Sequence, residues 1–347
     1  MTATREASAM HHLESARSHR LQVALVGAGS MGRLHARTLS ASLDADLACV
    51  VDVDEVSARR VAEQYGTAWA GDLDDPTAFD AIIVAAPTRT HAGWAERVLT
   101  SGTPLLLEKP LADDLVEARQ IVELSARYDT PLMCGFLERT NPAVRAAFEI
   151  ARDPVHITAV RHSPYAPRIA TGVAYDLMIH DVDLVLRLAG ATPAAVLGMV
   201  GFCHPTSAQG AEDVAEANLV FDSGLVARVS TSRVAHRKVR RMTIVEGTRE
   251  IEVDLLRQDV TIYQHVDNEL LDDGRLGYRQ QTVIDIPFIE RGKEPLALQL
   301  ERFVALARGE ADAAQERDSL LPPHEVVADI RRMNALAASE VMLHAAS

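Results

Sequence analysis

The sequence predicts an α/β protein: an N-terminal doubly wound parallel sheet followed by a C-terminal α+β domain with a large, mostly antiparallel sheet. Three observations predict it. Over residues 21–134, short and almost wholly apolar runs alternate with helical patterns, as in a parallel sheet covered on both faces. The first run leads straight into Gly27-Ala28-Gly29-Ser30-Met31-Gly32, a turn that opens a helix. After about residue 150 the texture changes to strand after strand, interrupted by one helix.

In chain order, residues 21–26 (LQVALV) form the first strand, and the helix after the glycines runs to about Ser42. Residues 47–51 (LACVV) form a second strand ending at Asp52, and 55–65 a helix. Strands at 81–86 (AIIVAA) and 104–107 (PLLL) precede helices near 90–100 and 113–128, and 131–134 (PLMC) closes the series. Asn141-Pro142 starts a further helix. Strands follow at 155–163, 195–203, 214–221, 225–234, 240–246, 249–254 and 259–264, with a hairpin turn at Phe221-Asp222-Ser223-Gly224-Leu225. The interrupting helix covers 174–189 and stops at Gly190. Helices return at 295–308 and 323–343, and the polar stretch 309–318 reads as a loop. Residues 1–20 lack an apolar stretch and read as a flexible leader, not a signal peptide. The division expected is 21–143 and 144–347, the last helix being free to pack back on the first domain.

Composition narrows the function. With 347 residues, 48% of them hydrophobic, the chain can bury two cores. A net charge of −14 disfavours nucleic acid as a partner, leans towards a cationic ligand, and fits a cytoplasmic protein. The longest apolar runs fall far short of a membrane span. Cys49, Cys134 and Cys203 lack metal-type spacing and read as buried free thiols in a reducing compartment; no metal site is expected. Of the 35 lysines and arginines only Lys109, Lys238 and Lys293 are lysine, a skew typical of a high-GC genome. The residues after them are Pro110, Val239 and Glu294, which excludes a phosphate loop of the Gly-Lys-Ser/Thr type. The residues four before them are Leu105, Val234 and Ile289, which excludes a Tyr-x-x-x-Lys dehydrogenase site.

The glycine turn carries the first chemistry. Gly27 permits the tight turn, Gly29 lets a pyrophosphate approach the backbone, and Gly32 allows close packing of helix on strand. The helix N-terminus offers unpaired N–H groups to an anion. Asp52 can accept hydrogen bonds from the adenosine ribose and would repel a 2′-phosphate, and Val53-Asp54-Glu55 supplies no arginine. NAD is therefore favoured over NADP, with Arg59 and Arg60 a small opening for the latter. Ligands of such sheets sit beyond the strand C-termini. One such end carries Ala86-Pro87-Thr88-Arg89-Thr90-His91, where Thr88 suits a helix N-cap more than a ligand contact and His91, alone, reads as a structural or surface histidine. The other carries Glu108-Lys109-Pro110, and a lysine kept in an arginine-rich chain points to a compact, tunable ammonium.

On the helix at 174–189, Asp176 and His180 are spaced i, i+4 and share a face, with Asp183 within reach; Asp181 points elsewhere and reads as structural or solvent-facing. A neutral imidazole can take a proton from a hydroxyl as hydride leaves the carbon, and a carboxylate one turn away can hold a second hydroxyl or orient the imidazole.

Together these residues resemble a known family. The motifs are Gly27–Gly32 with His35, Ala86-Pro87-Thr88-x-x-His91, Glu108-Lys109-Pro110, Gly172-x-x-x-Asp176-x-x-x-His180-x-x-Asp183 and Glu294-Pro295-Leu296-x-x-Gln299-Leu300-x-x-Phe303. Their order is that of the glucose-fructose oxidoreductase / inositol dehydrogenase / MocA family, and the resemblance spans roughly residues 21–345. It implies a Rossmann NAD-binding domain at 21–143, a substrate-binding and oligomerisation domain at 144–347, and hydride transfer between NAD(P) and a sugar or cyclitol carbon. The family's catalytic trio carries over onto Lys109, Asp176 and His180. The cofactor set expected is Gly27, Gly29, Ser30, Met31, Gly32, Asp52, Ala86, Pro87, Thr88, His91, Glu108 and Lys109. The Lys109–Pro110 bond is often cis in such proteins, and the residue matching His35 is usually packed inside.

A finer resemblance rests on Ser163-Pro164-Tyr165-Ala166-Pro167-Arg168-Ile169 followed by Gly172-Val173-Ala174-Tyr175-Asp176-Leu177. It is similar to the branch that oxidises carbon three of glucose or glucosamine units. That branch includes UDP-N-acetylglucosamine 3-dehydrogenases and the dehydrogenases of kanamycin- or gentamicin-type aminoglycoside antibiotic biosynthesis. Arg139, Arg161, Arg168, Tyr175, Asp176 and His180 are the substrate contacts expected. The charge and the high-GC skew lean to a cationic aminoglycoside in an actinomycete, and the family resemblance implies a homo-oligomer, dimer or tetramer, through the C-terminal sheet. The competing readings are an inositol dehydrogenase, an NAD-dependent glycosidase and a non-catalytic NAD-binding regulator. Intact Lys109, Asp176 and His180 argue against the last.

Overall fold

The computed structural model describes residues 20–167, 169, 171–272 and 275–345, and the side chains outside 267–280 and 334–345. The proposed leader therefore lies, but for Arg20, outside the described residues, as does Arg168. The chain divides into two compact units: one runs to Leu137 and takes in Lys293–Leu321, the other comprises Glu138–Gly292 and the chain from Pro322 onward.

In the first unit six strands, β1 (Leu21–Val26), β2 (Ala45–Val51), β3 (Ala68–Ala70), β4 (Ala81–Val84), β5 (Leu105–Leu107) and β6 (Leu132–Cys134), lie in the order β3-β2-β1-β4-β5-β6. All pairings are parallel. The order reverses beside β1, so the ends of β1 and β4 form the crevice where such sheets take ligands. Helices α1 (Ser30–Ser40), α2 (Glu55–Tyr65), α3 (His91–Leu99) and α4 (Leu115–Tyr128) link the strands. Asp54 and Asp114 cap α2 and α4 by accepting from the backbone N–H groups of their first turns. A helix at Pro295–Ala307 lays Leu300, Phe303, Val304 and Leu306 into the core formed by β1, β2 and α1. The stretch expected as a loop at 309–318 contains a short helix, Ala313–Asp318, because Asp312 caps it through Gln315 N–H.

The second unit is built on an eight-stranded sheet: β7 (His156–His162), β8 (Ala195–Gly201), β9 (Val214–Val220), β10 (Val226–Ser232), β11 (Val239–Val245), β12 (Arg249–Asp254), β13 (Asp259–Asp272) and β14 (Arg275–Asp285). Their order is β14-β13-β12-β11-β7-β10-β9-β8. Only β7 and β10 run parallel; every other pairing is antiparallel. The hairpin turn at 221–225 closes as expected, with Gly224 in the left-handed region (φ 86°) and its N–H donating to Phe221. Alternation places Ile157, Ala159, Ala217, Leu219, Ala227, Val229, Met242, Ile244, Ile251 and Val253 on the buried face. Helix α5 (Pro142–Ile150) starts at Asn141, which caps it as expected. Helix α6 (Ile179–Ala189) packs on β7 and β10. The opposite face is open: Leu197 and Met199 of β8 are 62% and 64% exposed.

Candidate active site

The first half of the site is the glycine turn at the end of β1. Gly27 has φ +99°, and a Cβ there would lie 2.6 Å from the Ala85 carbonyl oxygen. A Cβ on Gly32 would run into the Gly27 carbonyl, so helix α1 lies against the strand end only because position 32 lacks one. A Cβ on Gly29 would meet nothing within 4 Å, which leaves an open approach over the backbone beside Ser30 and Met31 at the start of α1. Asp52 Oδ2 accepts the Ala28 N–H at 2.7 Å and Oδ1 the Asp54 N–H at 2.9 Å. It thereby fixes the glycine turn to the end of β2. These residues fit a dinucleotide, and a carboxylate at position 52 opposes a 2′-phosphate. Arg59, the nearest arginine on α2, pairs with Glu63 at 2.8 Å.

The ends of β4 and β5 supply the next part. After β4, Ala86-Pro87 leads into a single 3₁₀ turn, Thr88–Thr90, and then α3. Thr88 makes no N-cap hydrogen bond, contrary to that expectation: Pro87 occupies the cap position, and Thr90 Oγ1 donates to the Pro87 carbonyl instead. His91, expected among the cofactor contacts, is buried, with Nδ1 2.9 Å from the Pro110 carbonyl and Nε2 3.0 Å from that of Ala86. Its buried ring lies between the two strand-end turns. Glu108, expected in the same set, turns its carboxylate inward to His35 Nε2 at 2.8 Å. Lys109 follows it, and the Lys109–Pro110 bond is cis.

In the second unit the helix expected over 174–189 is in two parts. Residues Ala174–Met178 form a π-helical turn, and the α-helix proper begins at Ile179. Wide turns of this kind recur at functional sites. This one carries Asp176, four residues ahead of His180. Its start is held by Glu212: the Val173 N–H donates to the Glu212 carbonyl at 3.0 Å, and the Ala174 N–H to Oε1 at 3.1 Å. The Glu212 carboxylate fills the space a Cβ on Gly172 would need. This accounts for the glycine ahead of Asp176.

Of the expected substrate contacts, Arg161 and Tyr175 are buried and Arg139 is half-buried, each with partners inside the second unit. Arg161 is 1% exposed; Nε and Nη2 donate to both oxygens of Asp181 at 2.8 and 2.9 Å, and Nη1 donates to Glu138 at 2.9 Å. Burial alone would lower the pKa of this guanidinium, but the two carboxylates raise it well above the ordinary arginine value. Asp181 is accordingly buried and structural, not solvent-facing. Arg139 is bidentate to Asp183, with Nε 2.8 Å and Nη2 2.5 Å from its oxygens. Tyr175 is buried, its ring 6.4 Å from that of His324 and 5.3 Å from the Arg331 guanidinium. Asp176 and His180 are half-buried. Cys203, expected inside, is exposed.

Sequence reasoning missed one further device. Asp213 is buried after β8 and accepts from the Cys203 and His204 N–H groups at 2.7 Å each, from Ser207 Oγ, and from Arg233 Nε at 2.8 Å. Arg233 then donates to the Thr171 carbonyl at 2.8 Å, and Tyr165 stacks on His204 with ring centroids 3.5 Å apart. The segment before the π turn is thus latched to the β8–β9 loop. Acidic neighbours Glu212-Asp213 at a strand start were the available signal. Among the described residues no group of three or more His, Cys, Asp and Glu side chains is placed to hold a metal ion. No helix among them is long and apolar enough to cross a membrane.

Comparison with known proteins agrees with this geometry. Residues 21–136 match a family model described as an oxidoreductase family with an NAD-binding Rossmann fold, and 143–251 match the GFO/IDH/MocA C-terminal domain. A UDP-N-acetylglucosamine 3-dehydrogenase of Acidithiobacillus ferrooxidans is 32% identical over 246 residues, covering 70% of this chain and 77% of that one. The chain belongs to the Gfo/Idh/MocA oxidoreductase family. An inositol 2-dehydrogenase of Rhizobium meliloti is 27% identical over 304 residues, covering 84% and 89% of the two chains. The solved structure of the Acidithiobacillus ferrooxidans 3-dehydrogenase superposes with a TM-score of 0.77 at 27% identity, over 91% of this chain and 98% of that one. A structure of GenD2 from gentamicin A biosynthesis in complex with NAD gives 0.76 at 22% identity over 91% and 95%, a likeness of fold. This family member is an NAD-binding oxidoreductase, and its glycine turn and Asp52 are the residues that fit that cofactor.

Proposed function

We propose that this family member is an NAD-dependent dehydrogenase that oxidises the carbon-three hydroxyl of a glucose or glucosamine unit to a 3-keto sugar. The observation that carries the proposal is that one chain of this family holds Lys109 directly after β5 and, on the π turn and the start of α6, Asp176 four residues before His180. His180 takes the hydroxyl proton as general base. Lys109 stabilises the developing alkoxide, and Asp176 holds a neighbouring hydroxyl. NAD, when bound, accepts the hydride from the carbinol carbon. The relatedness to a named 3-dehydrogenase supports carbon three as the position. The open apolar stretch of β8 supports a homo-oligomer, dimer or tetramer, through that face.

Within this class we favour a cationic, aminoglycoside-type substrate, of the kind met in antibiotic biosynthesis upstream of an aminotransferase. Arg139 and Arg161 are both occupied by carboxylates, and the chain carries a charge of −14. A UDP-N-acetylglucosamine substrate is the second reading. It is favoured by the similarity to that dehydrogenase and by the exposed His236-Arg237-Lys238 run, whose loop bonds Ser163 through the Ala235 N–H. A panel of free hexoses, inositols, UDP-sugars and aminoglycosides with NAD, followed by NADH absorbance, tests the proposal. Turnover of a glucosamine-containing substrate to a 3-keto product is expected. Turnover of inositols alone, or glycoside hydrolysis without net NADH, would overturn it.

A further inference from the structure

Lys109 lies just past the point where strand pairing ends. The Glu108 N–H still donates to the Val84 carbonyl at 2.9 Å, and the chain then leaves the sheet. A lysine side chain has many rotamers, so an ammonium can be aimed only if its backbone is held. Two buried histidines hold it. On one flank, His35 of α1 is 2% exposed and bonds Glu108 Oε1 at 2.8 Å, while Glu108 Oε2 accepts the Lys109 N–H at 3.3 Å. The carboxylate fits there because residue 135 is glycine: a Cβ at that position would stand 2.5 Å from Oε2. On the other flank, His91 of α3 is 1% exposed and sits between two carbonyls, Nδ1 2.9 Å from that of Pro110 and Nε2 3.0 Å from that of Ala86, so that a ring with a single N–H donates to one of the two. The residues before and after Lys109 are thus each tied to a different helix through an imidazole that the proposed proton transfer does not use.

We infer that His35 and His91 are positioning residues that fix the Lys109 backbone from both sides and so set where its ammonium lies. This rests on the reading of Lys109 as the group that stabilises the alkoxide. Imidazoles in these places act through Lys109 and not on the sugar.

The chain contains only three lysines, which makes a direct test practical. Reductive methylation of the full-length protein with ¹³C-formaldehyde labels Lys109, Lys238, Lys293 and the terminal amine, and single Lys→Arg variants assign the signals. In His35→Gln and His91→Phe the Lys109 signal is expected to move, while those of Lys238 and Lys293 stay in place. In the unmodified variants kcat is expected to fall about ten- to hundredfold, the scale of a misplaced reacting group. His91→Gln, which keeps a side-chain N–H donor, should recover part of that loss. A Lys109 signal unmoved in folded variants would overturn the inference. So would three lysine signals collapsing together in both the Phe and Gln variants, since the histidines would then merely maintain the fold. The spectra do not depend on turnover. If Lys109→Met leaves kcat intact while the Lys109 signal still responds to both histidines, the catalytic reading fails and the positioning stands. If Lys109→Met abolishes turnover and the signal does not respond, the positioning fails and the catalytic reading stands.

Discussion

Arg161 grips both carboxylate oxygens of Asp181, the residue directly after His180, from beneath helix α6. The same guanidinium also bonds Glu138, which accepts from Arg240 at 3.1 Å and from Asn141 at 3.1 Å. Burial alone would raise the Glu138 carboxyl, but Arg161 and Arg240 outweigh it and hold the group below its ordinary value. Asp181 is pushed up, because its burial outweighs the Arg161 guanidinium and the nearby Glu138 carboxylate adds to the rise. Removing Arg161 would leave buried Asp181 without its bidentate partner and Glu138 with Arg240 alone. Arg161→Met is therefore expected to cost about 3–5 kcal/mol in a denaturant titration, with KM for the sugar little changed in the fraction that folds. A large rise in KM without loss of stability would instead make Arg161 a substrate contact.

Gly172 and Glu212 should behave as a coupled pair. A methyl group at 172 must displace the carboxylate that accepts the Ala174 N–H, so Gly172→Ala is expected to destabilise by about 1–3 kcal/mol. Combining it with Glu212→Ala should cost less than the sum of the two single changes, because the obstacle has gone. Additive losses in the denaturation cycle would show that position 172 is constrained by something else.

Asp213 predicts an acid limit to the latch. Burial by itself would raise this carboxyl; the Ser207 hydroxyl, the His204 N–H, the Arg233 guanidinium and the Cys203 N–H together hold it well below the carboxylate range. A group whose folded value lies below its unfolded value of about 4 stabilises the fold above that pH. Its contribution is lost as pH falls from there towards the folded value. Stability of the wild type should therefore drop below about pH 4. Asp213→Asn should be weaker at neutral pH and flatter over the acid range when both are compared by thermal melts at stepped pH.

How far these features can be read from sequence depends on how local their causes are. The glycine turn, Asp52 and the Asn141 cap arise from residues close in the chain, so they are legible. Arg161 depends on Asp181, twenty residues away, and its internal role shows only in the period of two that puts Ile157, Ala159 and Arg161 on one face of β7. His91 and Glu108 stand in cofactor motifs, yet their partners, Pro110 with Ala86 and His35, come from neighbouring turns and helices that only the sheet order brings close. β3 has three residues, too few to show a period, and β14 (RLGYRQQTVID) is too polar to stand out as a buried strand. The π turn shifts helix phase without any local sequence mark.

His180→Ala tests the proton-transfer role. General-base catalysis contributes about 10²–10⁴-fold, so kcat should fall by that amount. The acid limb of the kcat profile, where the wild-type imidazole takes up a proton, should disappear. An unaltered pH–rate profile in this variant would assign the proton to another group.

Isotope transfer tests the whole account most directly. A glucosamine-containing substrate deuterated only at carbon three is incubated with NAD and the wild-type protein, and the reduced cofactor is analysed by mass spectrometry. The account predicts one deuterium in each reduced cofactor, matched by an equal amount of 3-keto product. Reduced cofactor without the label, formed from the same substrate, would mean that hydride leaves another carbon and would contradict it.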